Sequence, residues 1–383
     1  MNILEECCKI QLKRIVQGLY TFDEHIKYLT ETIHKRITDA NEIVVCGLSP
    51  IGKNCVSYIR NFAKAPIKIF DLRDKASSTF TLKTENTPPP RRTKQTFIIC
   101  SREEAINYYE MIPHCNSGII SYNELILFDE RFGIKDSLLH NRNFIFEAIK
   151  SIFLYASKYL GLLNSLSDDF SKELLSRWLL YRLYGDISIM KDIAQEEKPY
   201  FDSEIIMLSH HEIFVDAGGY DGDTLQDFIE VSGNVFDKYY FFEPENNVLQ
   251  KALEKHANDN RIVFLEKGLS NISGTRFFDT ECIDVPEMIQ SDYGNKEVNV
   301  CTLDSLNIRP TFIKMDIEGA ECDALDGAEQ TIRKYKPTLA ICVYHRPNDI
   351  LDIYTRVKSY GYERFYIRAE RNTLDYDVVL YAQ

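Results

Sequence analysis

What the chain lacks narrows it first. It carries one tryptophan in 383 residues. Of its ten cysteines, no two stand at C-x-x-C spacing and none has a suitably spaced histidine, so a structural zinc site has no ligand set to build on. No apolar run approaches the ~20 residues that cross a bilayer. The opening MNILEECCKIQLKR places charges where a signal peptide has its apolar core, which makes a cytoplasmic protein with reduced, mostly buried thiols the expectation. Basic excess is missing too. Residues 1–137 hold 19 Lys and Arg against 17 Asp and Glu, but residues 138–383 hold 26 against 41. So acidic a half repels a phosphate backbone, and nucleic acid is a poor partner for it.

What is present reads as a globular α/β chain. Hydrophobic residues at 44% and charged residues at 27% exclude a disordered tail as the main content. The length predicts two domains with room for a connector. Apolar positions at helical spacing (Ile10, Ile15, Leu19, then Ile26, Leu29, Ile33) predict helices over 3–37. A short strand over 42–46 follows, then a turn between Gly47 and Gly52, a helix over 53–62, and a strand over 67–70 ending at Asp71. TENTPPPRRTK (84–94) reads as a loop, because three consecutive prolines continue neither helix nor central strand. A strand over 96–100 and a helix near 102–111 complete a small parallel α/β domain, 1–137. Residues 138–208 read as a helical connector. From His211 the alternation restarts, with strands at 213–216, 239–242, 262–265, 311–315 and 338–344 and a terminal hairpin, ERFYI and DVVLYA. The second domain is therefore expected over 209–383.

The segment IFVDAGGYDGDTLQDF (213–228) carries the strongest chemical signal. An apolar strand enters a glycine turn that opens a helix. Gly218, Gly219 and Gly222 allow a sharp bend and close approach to a ligand. Asp223 is expected to cap the helix, with Gln226 completing a capping box. A dinucleotide fingerprint needs glycine where Tyr220 stands. Asp216, Asp221 and Asp223 also repel a pyrophosphate, while suiting a cofactor with an ammonium and a sulfonium. That favours S-adenosylmethionine over NAD; the plainer alternative is that these acids only cap the helix. Glu243 closes the next strand, where a carboxylate can accept from ribose hydroxyls, and Gly268 and Ser270 follow the third strand where an adenine would rest. The fourth strand ends in KMDIEGAE, with Lys314, Asp316 and Glu318 at its end and Glu321 opening a helix as a dipole complement. His345 ends the fifth strand. It can take a proton from a hydroxyl, or serve only as a hydrogen-bonded strand-end residue.

Taken in order, DDFSKELLSRWLLYRLYGD, FVDAGGYDGDTLQDF, FFEPE, EKGLSN, FIKMDIEGAE, VYHRPND and VVLYA resemble the FkbM family of S-adenosylmethionine-dependent methyltransferases, from about residue 167 to 382. The resemblance implies a seven-strand Rossmann-like methyltransferase sheet with a terminal antiparallel hairpin. It also implies methyl transfer to oxygen on a sugar, polysaccharide precursor or natural product, so the partner is a small-molecule or carbohydrate acceptor. Carried over, Asp216, Gly218, Tyr220 and Gly222 would line the methionine end, Glu243 would hold the ribose, and Asp316 would lie near the reacting centre. The first domain looks like the small Rossmann-type unit that precedes such enzymes in some bacterial proteins. Its turn lacks a middle glycine and contains Pro50, so a scaffold or recognition role is expected of it. Because a sulfonium already activates its methyl group, the protein has to position the acceptor and remove one proton, a task for His345 or Asp316. A divalent metal on Asp316 and other acids is an alternative that no dense ligand cluster in the sequence compels. The rival classes are an NAD-linked sugar-nucleotide oxidoreductase or epimerase and a non-catalytic protein keeping the cofactor fold.

Overall fold

The computed structural model describes residues 3–47, 50–61, 63–71, 95–100, 105–112, 118–128, 142–193, 198–279, 289–290, 296–369 and 377–383. The proline loop 84–94 and most of the polar turn of the terminal hairpin lie outside them. The chain divides into two units: Met1–Leu160 with Leu175–Ile193 and Asn372–Asp375, and Gly161–Leu174 with Ala194–Arg371 and Tyr376–Gln383. The helix Asp169–Tyr184 therefore contributes residues to both.

In the first unit, β1 (Glu42–Cys46), β2 (Ile67–Phe70), β3 (Gln95–Ile99) and β4 (Gly118–Ser121) form an all-parallel sheet in the order β2-β1-β3-β4. The strands β1 and β3 are near-continuous Ile, Val and Phe because both faces of a parallel sheet are covered. Thr21 starts the helix Phe22–Thr38 with a complete capping box to Glu24. Arg36 on that helix meets the buried Glu124 at 2.9 Å.

The second unit holds seven strands in one sheet: β5 (Ile213–Ala217), β6 (Lys238–Phe242), β7 (Ile262–Leu265), β12 (Phe312–Met315), β13 (Thr338–Cys342), β14 (Phe365–Ala369) and β15 (Val378–Ala382). Their order is β14-β15-β13-β12-β5-β6-β7, and β15 alone runs opposite to the other six strands. This is the seven-strand sheet with a reversed terminal hairpin that the sequence predicts. Aromatic residues fill its core. Phe214 on β5 stacks on Tyr239 of β6, centroids 4.9 Å apart, and Phe228, Phe312 and Phe201 close around them. A second sheet, unread in the sequence, joins β8 (Gly268–Leu269), β9 (Gly274–Asp279), β10 (Ile289–Gln290) and β11 (Lys296–Cys301) in the order β10-β9-β11-β8.

The β14 edge is covered by the stretch entering helix Asp169–Tyr184. Leu166 bridges Phe365, and the Phe365 N–H donates to Ser167. Arg368 on β14 is fully buried; it binds Asp202, Asp168 at 2.8 Å and the Ser171 hydroxyl at 2.9 Å. A buried guanidinium is tolerable only with such a set of partners.

Candidate active site

The order of the large sheet dictates where a ligand can sit. From β5 the chain moves to β6 and β7, then crosses back to β12 on the other side of β5. Strand order reverses between β5 and β12, and a crevice opens at the carboxyl ends of strands at such a point. Asp216 and Asp316 flank it.

Asp216 is fully buried near the end of β5. Its Oδ2 accepts from the Tyr239 hydroxyl at 2.6 Å, and its Oδ1 lies 3.1 Å from the Lys314 ammonium. Burial raises the Asp216 pKa, against the pull of Lys314 and Tyr239. Lys314 is itself buried on β12, donates to the Gly218 carbonyl and lies over the Tyr200 ring. Burial pushes its pKa down, but Asp216 and Asp316 push it further up, so it stays charged. Lys314 thus ties the glycine turn of β5 to the neighbouring strand.

That turn requires its glycines. Gly218 has φ +81°, and a Cβ on it would lie 1.8 Å from the Asp316 carbonyl oxygen. Gly222, at φ +89°, is the N-cap of helix Asp223–Val231 and supplies no side-chain bond. The expected capping box is therefore absent. Asp223 is the first helical residue, exposed, accepting from the Thr224 N–H, while the Gln226 side chain reaches forward to Glu230. Gly219 packs on the Phe241 ring. Tyr220 is exposed with φ +47°, uncommon for a bulky residue, and its N–H donates to Glu243 Oε2 at 3.1 Å.

Glu243 is buried just past β6 and its second oxygen accepts from the Glu245 N–H. Burial raises its pKa to about 7. Each oxygen keeps a lone pair for a further donor. Gly268 follows β7 and opens β8, which pairs with β11, and the Ser270 N–H donates to the Cys301 carbonyl.

The ends of β12 and β13 bring the acids and the histidine together. Asp316 keeps a quarter of its side chain exposed; Tyr200 donates to its Oδ2 at 2.9 Å and Tyr344 to its Oδ1 at 3.4 Å. Burial raises its pKa, but Lys314 and His345 outweigh that and hold it below the usual carboxylate range. His345 is almost fully buried. Its Nε2 lies 3.5 Å from Asp316 and 3.3 Å from Glu318, and its Nδ1 lies 3.0 Å from Glu321. Burial pushes the imidazole down; Glu321 and Glu318 push it further up, so it carries a proton near neutral pH. Glu318 itself sits at φ +57°, a strained backbone beside the cleft. Behind the histidine, burial and Glu321 raise the Asp349 pKa to about 7.

The structure thus gathers Asp216, Gly218, Lys314, Asp316, Glu318 and His345 in one region, with Tyr220 and Glu243 hydrogen-bonded to each other beside the turn. Asp316, Glu321 and His345 each offer a ligand atom, all within 4.8 Å of one another, and could hold a divalent cation. A metal takes one ring nitrogen, however, and here carboxylates face both. Sequence reasoning passed over Tyr200, Tyr239 and the pairing of Glu321. An acid in a first helical turn is ordinarily a dipole complement, and nothing local marks a tyrosine 116 positions before the carboxylate it serves.

A seven-strand sheet with a reversed terminal hairpin and a glycine turn after β5 is a methyltransferase-like fold. Residues 216–364 match the family described as the methyltransferase FkbM domain. Over this stretch the chain is similar to the FkbM methyltransferases. It is similar along its whole length to the crystal structure of methyltransferase FkbM from Methylobacillus flagellatus KT, with 20% identity, TM-score 0.70, and 99% of this chain and 100% of that chain covered. Smaller likenesses reach Aeropyrum pernix fibrillarin in complex with natively bound S-adenosyl-L-methionine (12% identity, TM-score 0.32, 47% of this chain and 70% of that one). A SAM-dependent methyltransferase from Aquifex aeolicus is alike at 15% identity and TM-score 0.31, over 51% of this chain and 97% of that one. These two overlaps add nothing to the fold assignment. No curated protein matches the chain.

Proposed function

We propose that the chain is an S-adenosylmethionine-dependent O-methyltransferase acting on a hydroxyl of a sugar, polysaccharide precursor or natural product, with its chemistry confined to residues 209–383. The observation that carries this reading is the pairing of carboxylates across the switch point. Asp216 lies under the glycine turn, Glu243 beside it and Asp316 across the crevice, an environment that attracts a sulfonium and an ammonium and repels a pyrophosphate. Glu243 accepts from the ribose hydroxyls. Asp216, Gly218, Tyr220 and Gly222 border the methionine end.

Proton removal falls to Asp316. It is the accessible member of the cluster, whereas His345 is sealed behind it at 1% exposure. Lys314 and His345 hold Asp316 ionised, and Tyr200 and Tyr344 fix its orientation. A positioned acceptor suffices, since the methyl group to be moved is already activated. Isothermal calorimetry with S-adenosylmethionine, S-adenosylhomocysteine and NAD tests the reading. Binding of the first two supports it; binding of NAD alone would hand the site to the oxidoreductase alternative.

A further inference from the structure

The geometry points to a divalent-cation site formed by Asp316, Glu321 and His345, taking a first-row ion that accepts mixed nitrogen and oxygen donors, such as Mn²⁺. Among the described residues this is the one group of three or more His, Cys, Asp or Glu side chains whose ligand atoms gather within 4.8 Å of one another. Donors around a single ion, each at ~2.0–2.2 Å, stand ~3–4.5 Å apart, so little movement closes the set. A second observation is independent of that clustering. His345 and Glu321 are each 1% exposed, yet neither ring nitrogen of His345 nor Oε2 of Glu321 has a hydrogen-bond partner among the described residues. Carboxylate oxygens stand 3.0 Å from Nδ1 and 3.3 and 3.5 Å from Nε2, but too obliquely or too far to accept from the ring. Ligands of one ion are placed in this way, side by side about the metal rather than pointing at one another. Buried polar atoms are almost always paired, and unpaired ones on two adjoining side chains call for a partner that the chain does not supply.

The donor set selects the ion. One imidazole and two carboxylates, with no thiolate, suit Mn²⁺, Fe²⁺ or Zn²⁺; the nitrogen donor disfavours Mg²⁺ and Ca²⁺. A ligating imidazole gives one nitrogen to the metal and turns the other to a carboxylate, so acids on both sides of the ring fit the role. The carboxylates are held ready. Glu321 Oε1 accepts from the Ile317 N–H at 2.9 Å, which leaves Oε2 for the ion. Asp316 Oδ2 accepts from Tyr200 at 2.9 Å, which leaves Oδ1 on the His345 side. The Asp316 side chain, a quarter exposed, gives the set its opening onto the crevice. A bound cation would polarise a hydroxyl oxygen brought beside Asp316. That role rests on the methyltransfer reading; the binding of the ion does not.

The test is a Mn²⁺ titration of the full-length protein, freed of metal by a chelator and followed by electron paramagnetic resonance without S-adenosylmethionine. The signal of free Mn²⁺ should fall until one ion per chain is bound at micromolar concentration. Pulsed measurements on the bound ion should show the nitrogen coupling of a directly ligated imidazole. In His345→Ala that coupling should vanish, and in both His345→Ala and Glu321→Gln affinity should drop tenfold or more. Asp316→Asn, at the partly exposed ligand, serves the same purpose if a buried variant fails to fold. The proposal is overturned if the wild type holds no Mn²⁺ at micromolar concentration, if the bound ion shows no nitrogen coupling, or if the folded variants bind it as the wild type does. Calorimetry with S-adenosylmethionine on the same protein separates the two readings. Mn²⁺ bound at these residues without cofactor binding would leave the metal site standing and sink methyl transfer; cofactor binding without Mn²⁺ would do the reverse.

Discussion

Replacing Glu243 by alanine removes a carboxylate that already holds the Tyr220 and Glu245 amides and would hold a ribose. Losing charged hydrogen bonds of this kind costs about 1.5–3 kcal/mol, so S-adenosylmethionine affinity should fall ~10- to 100-fold by calorimetry. The pH dependence has a definite sign. With a pKa raised to about 7, Glu243 must shed a proton to accept from hydroxyls, so wild-type affinity should strengthen from pH 6 to pH 8. A flat profile is expected of Glu243→Gln. Asp316→Asn should cut turnover by ~10²–10⁴. His345→Asn should also slow turnover without loosening the cofactor; turnover equal to wild type would return His345 to a plain hydrogen-bonded strand-end role. At this scale the placement of Asp216, Glu243, Asp316 and His345 was legible, because each stands at or just past the carboxyl end of an apolar strand. Tyr200 and Glu321 were not, since their significance lies in partners the local pattern does not reveal.

Elements were read well where they are apolar and continuous. The parallel strands β1, β2, β5, β6, β7, β12 and β13 carry runs of Val, Ile and Phe that no surface segment needs. The second sheet escaped notice for the opposite reason: β11 alternates buried and exposed positions within KEVNVC, and β8 and β10 are two residues each. The capping box failed on a single residue, because Gly222 in a left-handed conformation takes the cap position ahead of Asp223. Two substitutions test the elements. Gly218→Ala would force a Cβ into the Asp316 carbonyl at a positive φ, and should destabilise the second unit by about 2 kcal/mol or more in urea titration, with loss of cofactor binding. Arg368→Met should cost about 3–5 kcal/mol, because it leaves the buried Asp202 without its cation. Stability within about 1 kcal/mol of wild type would mean that the Arg368 cluster is dispensable.

For the molecule entire, the acidity read in the sequence sets a pH response. Burial raises Glu124, Glu243 and Asp349 to about 7, above their unfolded values. Such carboxyls bind more protons folded than unfolded, so their contribution declines as pH rises from about 4.5 through 7. His25, lowered by burial to about 4, acts in the other sense, adding stability up to about pH 6.5 and nothing beyond. Between about pH 6.5 and 7.5 the carboxyls and His345, whose imidazole is held above its ordinary range by Glu321 and Glu318, act in the same sense, and the melting temperature of the ligand-free protein should drop across that interval in calorimetric scans. A rise there would mean these carboxyls are ionised at ordinary values. Helical periodicity announces the helix Asp169–Tyr184 but not that its residues fall in both units. The order of the last two strands bears on how the protein is made. β15 follows β14 in the chain yet lies between β14 and β13. A growing polypeptide that has just delivered residues 365–369 owns a strand with no neighbour on its inner side, beside a β13 whose outer row of amides and carbonyls is equally vacant. Until residues 378–382 are synthesised and slip between them, both rows offer a template to any passing strand, so stalled translation in this stretch should yield aggregates rather than a soluble intermediate.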